Sequence, residues 1–388
     1  MRKTVCFSTG KRGGFGAITP LLKKLSNDPL IDLQLICTDM HLVKNFGKTV
    51  NEVSQYFDVT ATVKMKQKGD TPSHRLQALG NCIIGMSKEL EKLNPDILLL
   101  LGDRSETLAT ALSAVQLGIP VAHIQGGDVS GGLDDLNRHS ISKLSHIHFA
   151  QTYLQGQRLL ALGEERKRVK VVGSPYVDRI VKKKFNNDLK YLTKKYKFDF
   201  KKNYFLVLNH PDTYRHYESE KQMDSIFDAL KTFEQEVIVI YPCSDQGYEG
   251  VIKSIEKNKK KSKKIHVHRS IDSFDFLGIL SYCQTFIGNS SSGIIEAPYF
   301  YKPFVNLGER QNNREKDINV INAEYDPQNI VKKIKLSIDL KFRNKLSKGN
   351  RVFGNGDSCD KIYMYLSQLK IDEKFFQKKV VFNNVKFV

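Results

Sequence analysis

The sequence predicts an α/β protein built from two doubly wound, parallel-sheet, Rossmann-type domains. Three observations lead there. Short, continuous apolar runs alternate with longer amphipathic ones, the signature of parallel strands buried on both faces by helices. The alternation restarts after a lysine-rich stretch at 182–203. And 388 residues exceed what one small core organises.

Taken in order, "KTVCFST", "IDLQLICTD", "DILLLLGD", "PVAHIQGG" and "VKVVGSP" read as strands of the first domain, with helical periodicity over 18–26 and 107–117 between them. "NYFLVLNHP", "EVIVIYP", "KIHVH", "TFIGNSS" and "PFVNLG" read as five strands of the second. The expected division is 1–174 for the first domain, 175–357 for the second, and 358–388 for a final helix and tail, with a linker near 174–203. The tail at 371–388 has no helical periodicity, and no element is predicted there.

Composition narrows the function. The formal charge of +19 comes largely from lysine runs such as those at 182–184 and 258–264, which lack interleaved aromatics and arginines. They read as solvated surface that attracts small anions, so nucleic acid is not the predicted partner. No apolar run approaches the roughly 20 residues of a membrane span. The apolar part of the N-terminus is too short for a signal-peptide core, and the cytoplasm is expected. The six cysteines are scattered without a CxxC pair and read as buried free thiols.

Doubly wound sheets bind ligands outside the carboxyl ends of their strands, so the strand ends carry the candidates. The first strand runs into "STGKRGGFGAITP", four glycines within seven residues, where the backbone can approach a ligand and Arg12 can meet a phosphate or a sugar. A plain tight turn fits equally, and the dinucleotide fingerprint GxGxxG cannot be laid on it. Asp103 and Arg104 follow the run "ILLLL" and a glycine; Asp103 suits either the ligand crevice or a helix cap.

The stretch "HIQGGDVSGGLDDLNRHSISKLSHIHFA" at 123–150 concentrates polar chemistry. His139 and His146 stand two helical turns apart, about 10 Å of rise, too far for one ion, so no metal site is predicted. Asp134 and Asp135 fall in the first turn of a predicted helix, where they would stabilise its dipole. Yet Asp134, Asp135, Arg138, His139 and Lys143 on one helix beside a strand end also place acids and cations within reach of one ligand. In the second domain, His210 ends the strand of "LVLNHP", a position suited to proton transfer or phosphate contact. "GNSSSGIIEAP" turns from strand to helix, where Ser290, Ser291, Ser292 and Gly293 offer hydroxyls and free amides to a pyrophosphate. Glu296 follows for a ribose diol, and "GERQNNRE" supplies Arg310 and Arg314. Two facing domains with a phosphate-binding helix start describe an enzyme of nucleotide-activated sugars.

In that order, "GDRSE", "HIQGGDVSG", "DDLNRHSISKLSHIHF", "VVGSP", "NHP", "GNSSSGIIEAP" and "GERQNNR" resemble the hydrolysing UDP-N-acetylglucosamine 2-epimerases of bacterial sialic and legionaminic acid pathways, over roughly residues 1–370. The resemblance implies the GT-B architecture with an interdomain active-site cleft. It also implies a final helix crossing back to the first domain, no cofactor, and a homodimer or homotetramer. It implies that Asp103 and Asp135 are the catalytic acids, with His210 near the leaving group. Arg12, Gln125, Arg138, His139, Lys143, Ser290, Ser291, Ser292, Gly293, Glu296, Arg310 and Arg314 would then contact the substrate. Gln125 stands where many relatives carry Glu, and a neutral amide cannot act as a general base. The first loop has Ala17 where non-hydrolysing relatives have lysine, and "TDMHLVKNFG" lacks their Gln-His-Arg-Glu run; both departures favour the hydrolysing branch.

Overall fold

A computed structural model describes residues 2–382. Among these residues thirteen strands form two wholly parallel sheets. The first contains β1 (Lys3–Thr9), β2 (Ile31–Thr38), β3 (Ala61–Val63), β4 (Ile97–Leu101), β5 (Val121–Ile124), β6 (Ile147–Ala150) and β7 (Val169–Val171). Their order is β3-β2-β1-β4-β5-β6-β7. The second contains β8 (Tyr204–Leu208), β9 (Glu236–Ile240), β10 (Ile265–His268), β11 (Thr285–Gly288), β12 (Phe304–Leu307) and β13 (Val320–Ala323). It is ordered β10-β9-β8-β11-β12-β13. In each sheet the chain runs outward from the first strand and then returns to its other side. This leaves a crevice between β1 and β4 in one sheet and between β8 and β11 in the other, the places where open α/β sheets bind ligands. The two crevices face each other. This is the GT-B arrangement.

All five residues of β4 are buried, because helices cover both faces of the sheet. Four apolar clusters fill the layers, two against each sheet. Five of the six cysteines are buried, and Cys243 is half-buried. No helix among the described residues is long and apolar enough to cross a membrane.

Three expectations change on inspection. The glycine-rich stretch after β1 is not a loop: the helix begins at Arg12 and runs to Asn27. Two of its glycines, Gly10 and Gly16, serve close packing rather than left-handed turns. A Cβ on Gly16 would lie 2.4 Å from the Ser273 Cβ of the opposing domain, and one on Gly10 would lie 2.4 Å from Glu106 Oε1. The expected linker folds into two helices, Pro175–Val181 and Leu189–Tyr196. The tail also has structure as far as it is described, with a short helical turn at Glu373–Phe376; residues 383–388 lie outside the described part.

The helix Ser358–Gln368 returns to the first domain and packs on Arg12–Asn27, placing Cys359, Ile362 and Leu366 in that domain's core. Asp178 fixes its start: one carboxylate oxygen accepts from Ser358 Oγ at 2.6 Å and the other from Cys359 N–H at 2.7 Å.

Candidate active site

The cavity between the two crevices is lined from one side by Lys11 and Arg12, after β1, and from the other by His210, Ser290, Ser291, Ser292 and Glu296. Among the described residues, neither the Lys11 ammonium nor the Arg12 guanidinium has a hydrogen-bond or ion-pair partner. Two cations left free in a partly buried cavity favour an anionic ligand. Ser290 opens the short helix at Ser291–Ile295 and accepts from Ser292 N–H at 3.3 Å.

His210 adds a neutral donor. Its Nδ1 accepts from Cys243 N–H at 3.1 Å, which leaves the ring proton on Nε2. Burial, aided by Arg310, pushes its pKa down to about 3. At neutral pH its Nε2–H therefore offers a hydrogen-bond donor without carrying charge. Burial pushes the Glu296 carboxyl up to about 7.

The acids lie on the first-domain side. Asp103 follows β4 and is paired with fully buried Arg138. Burial alone would raise its pKa, but Arg138, Lys11 and Arg314 outweigh burial and hold the carboxyl well below the usual range. Arg138 also reaches Asp128 Oδ2 at 3.3 Å, and Arg314 reaches the same oxygen at 3.4 Å. Asp134 behaves differently. Its Oδ2 accepts from Arg310 Nη2 of the other domain at 3.1 Å. Burial and the neighbouring Asp103 charge push it up to about 6. The site thus holds one carboxylate pinned as an anion and another poised near neutrality, beside two unpaired cations and a neutral histidine. That set can move a proton next to a departing phosphate.

Comparison with known proteins places the chain in a family. A family-wide sequence profile described as UDP-N-acetylglucosamine 2-epimerase matches residues 23–367. The chain belongs to the UDP-N-acetylglucosamine 2-epimerase family.

It is 31% identical to a UDP-N,N'-diacetylbacillosamine 2-epimerase (hydrolyzing) of Legionella pneumophila over 97% of this chain and 99% of that one. It is 34% identical to a UDP-N-acetylglucosamine 2-epimerase of Neisseria meningitidis over 92% of each. In fold it matches the crystal structure of a Neisseria meningitidis UDP-GlcNAc 2-epimerase bound to UDP-GlcNAc. The TM-score is 0.79 at 20% identity, covering 95% of this chain and 100% of that one.

Within this epimerase fold the predicted residues divide. Asp103, Arg138, His210, Arg310, Arg314, Arg12, the three serines and Glu296 converge on the cleft or its rim. Asp135 does not meet the second domain: its Oδ1 accepts from Ser130 N–H at 2.6 Å and Ser130 Oγ at 2.9 Å, tying down the glycine-rich loop. Gln125 is buried and donates to Asp128 at 3.4 Å. Two of the predicted residues lie away from this cleft. On the helix Leu133–Leu144, Asp134 and Arg138 share the cleft face, four residues apart. His139 and Lys143 instead line an outer groove with Leu108, Leu112, Leu136 and Leu144. Lys143 pairs there with Glu164 at 3.0 Å. Gly293 is also structural: a Cβ would lie 2.3 Å from the buried Phe304 ring.

Sequence reasoning passed over Lys11 as a site residue and chose Asp135 over Asp134 as the catalytic acid. For Lys11 a signal existed, since it neighbours Arg12 at the same strand end. Asp134 is one position from the residue selected, and nothing in the pattern fixes the helix rotation to that degree.

Proposed function

We propose that the protein is a hydrolysing nucleotide-sugar 2-epimerase that converts UDP-N-acetylglucosamine and water to N-acetylmannosamine and UDP, for nonulosonic acid and surface glycan synthesis. The observation that carries this reading is Asp134, paired with Arg310 across the domain boundary at 3.1 Å and flanked by Asp103 and Asp245, beside the cavity lined by the unpaired Lys11 and Arg12 and the neutral His210. A carboxylate with a pKa near the working pH accepts the carbon-2 proton most effectively. The electron pair of the broken C2–H bond forms the C1–C2 double bond as the C1–O bond breaks, and UDP leaves with that oxygen. A 2-acetamidoglucal results. Water then adds its oxygen to carbon-1 while a proton returns to carbon-2 on the opposite face.

The carbon-2 proton is weakly acidic, so stabilising the departing diphosphate must lower much of the barrier. Lys11, Arg12, the helix start at Ser290–Ser292 and the His210 Nε2–H supply donors for it. Asp103, held ionised by Arg138, keeps Asp134 basic through its charge.

Proton NMR of the enzyme with UDP-N-acetylglucosamine in D2O tests the reading. Free N-acetylmannosamine deuterated at carbon-2, together with UDP, is expected. A product that keeps its carbon-2 proton, or release of nucleotide only when a sugar acceptor is added, would refute it. Turnover of UDP- or GDP-N,N'-diacetylbacillosamine in place of the acetylglucosamine nucleotide would keep the reaction and change the sugar.

A further inference from the structure

We propose that Thr213 is a positioning residue that caps, from the opposite domain, the helix carrying Asp134, so that the acid is set only where the two domains meet. This rests on the epimerase reading above and adds a residue to it.

A helix start leaves its first amides without partners, and Ser, Thr, Asp or Asn at the cap position commonly satisfies one. The helix Leu133–Leu144 has Gly132 at its cap, with no side chain to offer. The acceptor comes from elsewhere: Thr213 Oγ1 accepts from Leu133 N–H at 3.1 Å. Gly132 has φ +93°, and a Cβ there would lie 2.5 Å from that hydroxyl oxygen. The residue that cannot cap the helix is thus the one that lets the other domain do so.

The contact is part of a built seam. Gly131 N–H donates to Arg310 O at 2.9 Å. Asn313 Nδ2 donates to Ser130 O at 3.2 Å. A Cβ on Gly131 would lie 2.7 Å from Glu309 O, so the approach is specific to glycine. Thr213 also shares the "NHPDT" loop with His210. One short segment therefore faces the leaving group and holds the start of the acid-bearing helix. The charges that face Asp134 are Asp103, Arg310, Asp245 and Arg138. Burial is the largest cause of its raised pKa, so a frayed first turn returns it toward an ordinary carboxylate.

The test compares full-length wild type with Thr213→Val, which removes the acceptor at nearly constant shape, and Thr213→Ser, which keeps it. Thr213→Val is expected to lower kcat about tenfold, with KM and the Kd for UDP within about twofold of wild type. The acid limb of its pH profile should move to lower pH, and Thr213→Ser should restore both. Hydrogen exchange at the Leu133 amide, slow in wild type and fast in Thr213→Val, reads the cap without turnover. Wild-type kcat with an unmoved acid limb, a loss that serine fails to restore, an equal loss of UDP affinity, or unchanged exchange each overturns the proposal. A wild type that turns over no nucleotide sugar yet loses Leu133 protection in Thr213→Val instead overturns the epimerase reading and leaves the cap standing.

Discussion

Two adjacent aspartates begin one helix, and only one of them meets the second domain. Asp134 reaches Arg310, while Asp135 turns back to Ser130. Adjacent helical residues point about 100° apart, so a one-position difference decides between proton transfer and loop anchoring. Asp134→Asn is expected to lower kcat by about 10²–10³. Asp135→Asn should cost far less, since an amide oxygen still accepts from Ser130. Steady-state rates on the two variants decide it, and equal losses would reassign the base. The pH profile gives a second check. Asp134 must be ionised to accept a proton, so activity should fall as pH drops through about 6. Asp103→Asn removes the negative charge that helps hold Asp134 up and frees Arg138 to pull it down. Its acid limb is therefore expected at lower pH, with reduced kcat. Lys143→Ala, on the outer groove, should leave turnover unchanged. Sequence placed most of the cleft residues because strand ends are legible. It could not choose between neighbours on a helix, whose rotation is set by packing.

At the scale of elements, most buried strands were legible as apolar runs, whereas β3, β6 and β13 were not assigned as strands. Length does not separate them, since the legible β5, β7 and β10 also have three or four residues; β6, for one, follows its helix with no glycine or proline to mark the break. The tail was illegible for another reason: its contacts are single long-range bonds rather than a pattern. Lys378 Nζ donates to the carbonyls of Ser142, Lys143 and Ser145 at 3.2, 2.9 and 2.8 Å, closing the far end of the acid-bearing helix. It also pairs with Glu164 at 2.7 Å, a carboxylate with no solvent exposure that His148 contacts at 3.0 Å. Helix carbonyls at a C-terminus and a buried carboxylate both favour a cation. Lys378→Met should therefore lower unfolding stability by about 1–3 kcal/mol, measured by urea titration, with UDP affinity unchanged. A stability equal to wild type would mean that the tail merely rests on the surface.

For the whole molecule, the question is what holds two separately cored domains in register across the cleft. Arg104, next to Asp103, answers much of it. Within its own domain it pairs with Glu106 at 2.6 Å and Asp39 at 2.9 Å. Across the cleft it donates to Asp245 at 2.6 Å and Ser244 Oγ at 2.8 Å. Ser244 Oγ in turn donates to Asp39 at 3.0 Å, so the network closes on itself. The sequence shows each of these residues but not their convergence, which depends on how two sheets dock. A buried charge that loses its partner destabilises its surroundings by about 3 kcal/mol or more. Asp245→Asn leaves Arg104 short of an anion at the domain boundary, and opening the cleft restores water to it. The unliganded variant is therefore expected to show a larger radius of gyration than wild type in solution scattering. Saturating UDP should draw it back toward the wild-type value, and KM should rise several-fold because binding must then supply the closure. An unliganded variant as compact as wild type would place closure on the Thr213 and Arg310 seam instead, the same contacts that orient Asp134.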